Sequence, residues 1–124
     1  IGNVKGLRVL DEGCGFGDHL SKLTARKPAE LFGLDASQKL IAFAGQQNTP
    51  NSQFAVHNLN NPLPFENEHF DKIFASLTVF YVKNLQQLFQ GNRICLNPQQ
   101  PSQIVSIPPC FFDACFNTYL SVFV

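Results

Sequence analysis

The chain has no tryptophan and no methionine, not even at position 1. The missing start residue makes a fragment or a processed product the expectation. Net charge is also missing: 9 Lys and Arg balance 9 Asp and Glu. That balance predicts no strong attraction to nucleic acid or to a membrane surface. No apolar run approaches the roughly 18 residues of a membrane span. The opening Ile1-Gly2-Asn3-Val4-Lys5 lacks the apolar core of a secretion signal. Cys14, Cys95, Cys110 and Cys115 form no Cys-x-x-Cys pair. Thioredoxin-like redox chemistry and a zinc site are therefore not expected. All four read as reduced thiols of a cytoplasmic protein.

What is present suits one domain spanning residues 1–124. Apolar residues make up 44% of the chain, enough for a core rather than a disordered segment. Apolar stretches at Leu7–Leu10, Leu31–Leu34, Gln53–His57, Phe70–Leu77 and Ile104–Ile107 read as strands. Helices are predicted over Asp18–Ala25, from a Ser37 cap to about Gln47, and over Asn84–Arg93. Leu20 and Leu23, then Leu40, Ile41 and Ala44, then Leu85, Leu88 and Phe89 form the inward faces. Asn60-Asn61-Pro62-Leu63-Pro64 must be loop. Phe112, Cys115, Phe116, Tyr119, Leu120 and Phe123 recur at helical spacing. That spacing predicts a helical tail, with a strand over Leu120–Val124 as the alternative. This order of elements predicts an α/β fold with a mostly parallel sheet.

The richest segment is Val9-Leu10-Asp11-Glu12-Gly13-Cys14-Gly15-Phe16-Gly17. An apolar strand runs into an acid, and glycines follow at every second position. Such a turn lets backbone approach a nucleotide-like ligand closely. A dinucleotide is disfavoured, because Asp18 stands where that fingerprint needs its third glycine. Its charge would face pyrophosphate. Asp35 ends the second strand, and Asn58, Ser76 and Pro108 also fall near strand ends. In open α/β sheets, ligands bind at those carboxyl ends. No acid sits at a telling spacing from His19, His57 or His69. His19 alone lies near the glycine loop, and an ordinary polar role is expected for it. Asp71, at the far end of its strand, is expected to be structural.

These segments resemble class I S-adenosylmethionine-dependent methyltransferases, in particular the small-molecule type called type 11. The resemblance rests on VLDEGCGFGDHL, LFGLDAS, NLNNPLPFENEHFDKIFASLTVFY and NRICLNPQQPSQIVSIP. It implies a Rossmann-like three-layer sandwich that lacks the last two of the usual seven strands. It implies S-adenosyl-L-methionine as cofactor and a small-molecule methyl acceptor. Asp11 would face the donor's ammonium, with Gly13, Cys14, Gly15 and Gly17 forming the cradle. Asp35 would hold the ribose hydroxyls. Ala36, Asn58 and Leu59 would line the adenine pocket, and Ser76 with Leu77 would lie under the donor. Phe80 and Tyr81 would border the acceptor. No catalytic base is assigned.

Some positions depart from the family. Asn58 replaces the usual aspartate, Phe80 a frequent histidine, and Glu12 an apolar residue. Asn97-Pro98-Gln99-Gln100 replaces a Lys-Pro-Gly-Gly turn. These departures leave two other readings open. One is a truncated or noncatalytic cofactor-binding protein. The other is a module that self-associates through its aromatic tail or an exposed sheet edge.

Overall fold

A computed structural model describes residues 3–76, 82–99, 104–107 and 120–122, the side chains of 76, 104–107 and 120–122 excepted. The elements run β1 (Arg8–Glu12), α1 (Asp18–Leu23), β2 (Glu30–Asp35), α2 (Gln38–Gln46), β3 (Ser52–Val56), β4 (Lys72–Ser76), α3 (Leu85–Cys95), β5 (Ile104–Ile107) and β6 (Leu120–Val122). The strand order is β3-β2-β1-β4-β5-β6. Neighbours from β3 to β5 pair in parallel, and β6 runs antiparallel to β5. This is the expected Rossmann-like sheet, short of the usual seven strands among the described residues.

The pleat of β1 divides the core into two layers. Leu10 packs with Leu34, Ile73, Leu88, Cys95 and Leu96 on the α3 side. Val9 packs with Cys14, Leu20, Leu23, Leu31 and Phe74 on the α1 side. Alternation along a strand therefore sends Asp11 to the α1 side and Glu12 to the α3 side.

Both longer helices begin at side-chain caps. Ser37 Oγ accepts from the Leu40 amide at 3.3 Å, and Asn84 Oδ1 accepts from the Gln87 amide at 3.0 Å. The inward faces are narrower than expected. Ala44 is the buried residue of α2, while Leu40 stays exposed. In α3 the buried positions are Leu88, Asn92 and Cys95, while Leu85 is exposed.

Most boundaries shift by one or two residues, and three larger differences from the sequence expectation stand out. The first helix ends at Leu23 and tightens into a 3₁₀ turn over Thr24–Arg26. The fourth strand starts at Lys72, because Phe70 is paired elsewhere. Its amide donates to the Cys95 carbonyl at 2.9 Å, and its carbonyl accepts from the Asn97 amide at 2.7 Å. The helical tail is also corrected over Leu120–Val122, which pair with Ile104–Ser106 as a strand. The open edge of β5 has unpaired backbone groups to satisfy, and a strand satisfies them where a helix does not. Leu77, Phe80, Tyr81, Gln100, Pro108, the cysteines at 110 and 115, and Phe112, Phe116, Tyr119 and Phe123 lie outside the described residues.

Asp71 ties the amino end of β1 to that of β4. Its carboxylate accepts from the Arg8 amide at 2.8 Å, from Arg8 Nε at 3.4 Å and from Asn97 Nδ2 at 3.0 Å. Burial alone would raise this carboxyl, but the hydrogen bonds outweigh it and hold it below its ordinary value. Asn97 Oδ1 also accepts from the Gln99 amide at 3.0 Å. An Asx turn thus stands where the family has glycines. Asp71→Ala is expected to cost about 2 kcal/mol, because it strands donors in a part-buried site. Chemical denaturation at neutral pH would measure that cost.

Candidate functional site

The carboxyl ends of β1 and β2 meet through the glycine loop. Gly13 and Cys14 amides both donate to the Leu34 carbonyl, at 2.7 and 2.9 Å. The loop then bends through left-handed backbone, with φ of 56° at Gly15 and 86° at Gly17. A Cβ on Gly17 would stand 3.1 Å from the Phe54 ring, whereas one on Gly15 would meet nothing within 4 Å. Gly17 is therefore demanded by packing as well as by φ. Gly15 faces open space of the kind a ligand fills.

Asp35 holds this loop in place. Its Oδ2 accepts from the Gly15 amide at 3.0 Å, and its Oδ1 accepts from the Ser37 amide at 2.8 Å. Each carboxylate oxygen keeps lone-pair capacity for a further donor such as a hydroxyl. Asp11 is fully buried. Its Oδ2 lies 3.3 Å from His19 Nδ1 on α1, while Oδ1 has no hydrogen-bond partner among the described residues. The His19 ring meets Phe74 edge-on at 5.2 Å. The Asp11–His19 pair escaped the sequence reading. His19 lies in the first turn of α1, directly after the glycine loop, and there it meets Asp11 at the end of β1.

Cys14 does not offer a reactive sulfur. Burial, and then the charges of Asp11 and Asp35, push its thiol up to about 12. Its side chain packs against Gly33, where a Cβ would come within 2.7 Å of the sulfur and within 2.7 Å of Phe54. A small residue at 14 and glycine at 33 are thus one fitted contact.

Ala36 is exposed in the bend after β2. Asn58 is exposed, and its Oδ1 accepts from both the amide and the Nδ2 of Asn60, at 2.9 and 3.0 Å. Both lone pairs of that oxygen are used within the loop. Leu59 is buried in the α3-side core and borders a cavity of about 300 Å³ shared with Leu63, Phe65, Leu88 and Cys95. Ser76 ends β4, in register with Ile107 of β5. The sheet therefore gathers the ends of β1, β2, β3 and β4. Asp35 and the glycine loop are joined directly through the Gly15 amide, Asp11 pairs with His19, and Leu59 turns to the core.

On the opposite face, Glu12 is also fully buried. Asn92 Nδ2 donates to its Oε2 at 3.1 Å. Burial pushes this carboxyl up to about 8, against the Asn92 hydrogen bond and with help from the Asp11 charge. His69 and Glu30 are 3.2 Å apart at the amino end of β2. That places them away from the glycine loop. Among the described residues no group of three or more His, Cys, Asp or Glu gathers to hold a metal, and no helix is long and apolar enough to cross a membrane.

Residues 9–99 match the family model for the methyltransferase domain. The chain belongs to this methyltransferase family. A trans-aconitate 2-methyltransferase of Escherichia coli is 34% identical over 92 residues, which is 73% of this chain and 35% of that protein. A biotin biosynthesis bifunctional protein of Cellvibrio japonicus is 32% identical over 102 residues, 82% of this chain and 20% of the relative. The crystal structure of an S-adenosylmethionine-dependent methyltransferase from Mesorhizobium loti superposes with a TM-score of 0.79 at 28% identity. The match covers 86% of this chain and 48% of that one. The chain thus spans about a third or less of these curated relatives. Membership of this methyltransferase family implies S-adenosyl-L-methionine as the cofactor.

Proposed function

We propose that this chain binds S-adenosyl-L-methionine and serves methyl transfer to a small-molecule acceptor. The observation that carries the reading is the bridge from Asp35 to the Gly15 amide, together with a buried Asp11 oxygen that has no hydrogen-bond partner among the described residues. A buried anionic acceptor is costly unless something donates to it, and an ammonium does so. Asp11 would hold the amino group of the cofactor. The backbone at Gly13, Cys14, Gly15 and Gly17 would let its methionine portion approach, and Asp35 would orient the ribose hydroxyls. Ala36, Asn58 and Leu59 would lie at the adenine end, and Ser76 would lie below.

The bound cofactor supplies an activated methyl group. The chain's own contribution is to bind, orient and exclude water, which is where most of such a rate gain arises. Free buried thiols at Cys14 and Cys95 support a cytoplasmic setting. The noncatalytic, cofactor-binding reading draws on Asn58. Its saturated carbonyl oxygen must give up a loop hydrogen bond before it can accept from an adenine amino group.

Calorimetry with S-adenosyl-L-methionine tests the proposal, with NAD as the control ligand. Saturable binding is expected for the wild type. Asp35→Ala is expected to weaken it at least about tenfold, with Asp35→Asn intermediate, since two hydroxyl contacts are lost. Absence of binding by a demonstrably folded chain, or equal binding of NAD, rejects it. Binding without turnover across an acceptor library favours the noncatalytic reading.

A further inference from the structure

We propose that the cavity between the β3–β4 crossover and α3 is a ligand site of its own, one that takes a neutral aromatic carboxamide. Of the residues assigned to the donor site only Leu59 borders it, and Leu59 turns into the α3-side core. The inference therefore stands apart from the donor-site reading.

A crossover between parallel strands is ordinarily a helix that covers the sheet. Residues 57–71 carry no helix. The layer beside α3 is left incomplete, and a cavity of about 300 Å³ remains there. That volume is at the lower end of the range for small-molecule sites. Its floor is apolar, made by Leu59, Leu63, Phe65, Leu88 and Cys95. Leu59, Leu88 and Cys95 are buried. Phe65 is held edge-on by Phe32 and Phe70, with ring centres 4.8 and 4.7 Å away. Such a wall is in place before any ligand arrives.

Gly91 is an independent sign of an occupant. It stands inside α3, where glycine is a poorer helix former than alanine. Its φ is not left-handed, and a Cβ there would meet nothing within 4 Å. Neither the backbone nor packing among the described residues asks for glycine. Yet Gly91 lines the cavity, with Gln87 and Leu88 one turn before it and Ile94 and Cys95 one turn after. Its missing side chain leaves space that a ligand fills.

The lining selects the chemistry of that ligand. None of the residues around the cavity is charged, so an ion would be desolvated there without a countercharge. The rim consists of the side-chain amides of Asn61, Asn67, Gln87 and Gln90. Each offers N–H donors and a carbonyl acceptor. A primary carboxamide presents the same two functions in return, and an aromatic ring suits the apolar floor beside Phe65. A carboxylate only accepts and an amidinium only donates, so each meets half of what the rim offers and carries a charge as well.

Three molecules of one shape separate these cases: benzamide is neutral, benzoate anionic and benzamidine cationic. Methyl NMR titrations of the wild-type chain without cofactor test the site. Benzamide is expected to give saturable shifts at Leu59, Leu63, Leu88 and Ile94, with the weak affinity of a small ligand. Benzoate and benzamidine are expected to bind at least about tenfold more weakly. Gly91→Leu is expected to fill the cavity and abolish the benzamide shifts. Gly45→Ala, in α2, where a Cβ also meets nothing within 4 Å, is expected to leave them unchanged. Failure to saturate, shifts confined to other methyls, or equal affinity for the three molecules overturns the inference. So does unchanged benzamide binding by a folded Gly91→Leu. Displacement of benzamide by S-adenosyl-L-methionine overturns it too, because the cavity would then be part of the donor site. Should Gly91→Leu fail to fold, the three ligands and the location of the shifts on the wild type decide the matter.

Discussion

Glu12→Gln is expected to abolish a steep loss of stability between mildly acidic and mildly alkaline pH. Glu12 is fully buried, and its carboxyl is pushed from 4.5 up to about 8. In the unfolded chain the same group ionises near 4.5. Across that window the folded form holds a proton that the unfolded form has released. A folded pKa above the unfolded one gives stability that is complete at low pH and declines as pH rises. The decline is about 1.4 kcal/mol per pH unit for one group. It ends near pH 8, where the folded form ionises too. The accumulated penalty is several kcal/mol, a large part of the stability of a domain this size. Glutamine has nearly the same shape, accepts from Asn92 through its carbonyl, and never ionises. Denaturation midpoints measured across the range should fall for the wild type and stay level for the variant. Parallel curves would mean that Glu12 is already charged in the fold. Asp71 works in the opposite direction. Its folded value is lowered, so its contribution is lost as pH falls below the ordinary carboxylate range.

The second large effect is expected at Gly33. A side chain there must share space with Cys14 Sγ and Phe54 Cδ1, each within 2.7 Å of an ideal Cβ. Those contacts lie in the middle of β2, between β1 and β3, where backbone has little room to yield. Gly33→Val is therefore expected to cost about 3 kcal/mol, the upper range for overpacking. The damage does not stop at stability. Cys14 is the residue it displaces, and Gly15 follows directly. Its amide hydrogen bond to Asp35 is then expected to lengthen, weakening cofactor affinity in proportion. Cys14→Ala in the same chain removes the sulfur and should recover part of both losses, leaving the Phe54 overlap. Thermal unfolding and calorimetry of the single and double variants would measure that coupling. Additive losses would show that the two residues do not share the space.

Much of the architecture was legible because it is written at short range. Alternating and apolar runs marked the five parallel strands, Ser37 marked the start of α2, and Asn84 that of α3. The glycines at 13, 15 and 17 and the acids at 11 and 35 marked one end of the sheet. The pairings across the sheet were not legible. Glu12 and Asn92 are each a polar residue in an apolar stripe, separated by most of the described chain. Two such misfits are a signal that they answer each other, but only the fold brings them together. Gly33 stood unremarked within the run Leu31–Leu34, and only the fold sets Cys14 against it. The pocket role of Leu59 came from the family resemblance, and its packing with Leu10 and Leu34 in the core is set by the fold. The tail read as a helix because spacing reports one chain segment alone. The demand of the β5 edge for a partner belongs to the sheet.

The strand order has a consequence for the chain while it is being made. β1 is translated before the other described strands, yet it ends in the middle of the sheet, between β2 and β4. β2 and β3 can join it as soon as they emerge. Its other edge must wait until Lys72–Ser76 have left the ribosome. During that interval the apolar side chains of Val9 and Leu10 border a row of open backbone donors and acceptors, which other unfinished chains can pair with. Synthesis rate between residues 13 and 72, rather than final stability, then sets how long the nascent protein is exposed to aggregation.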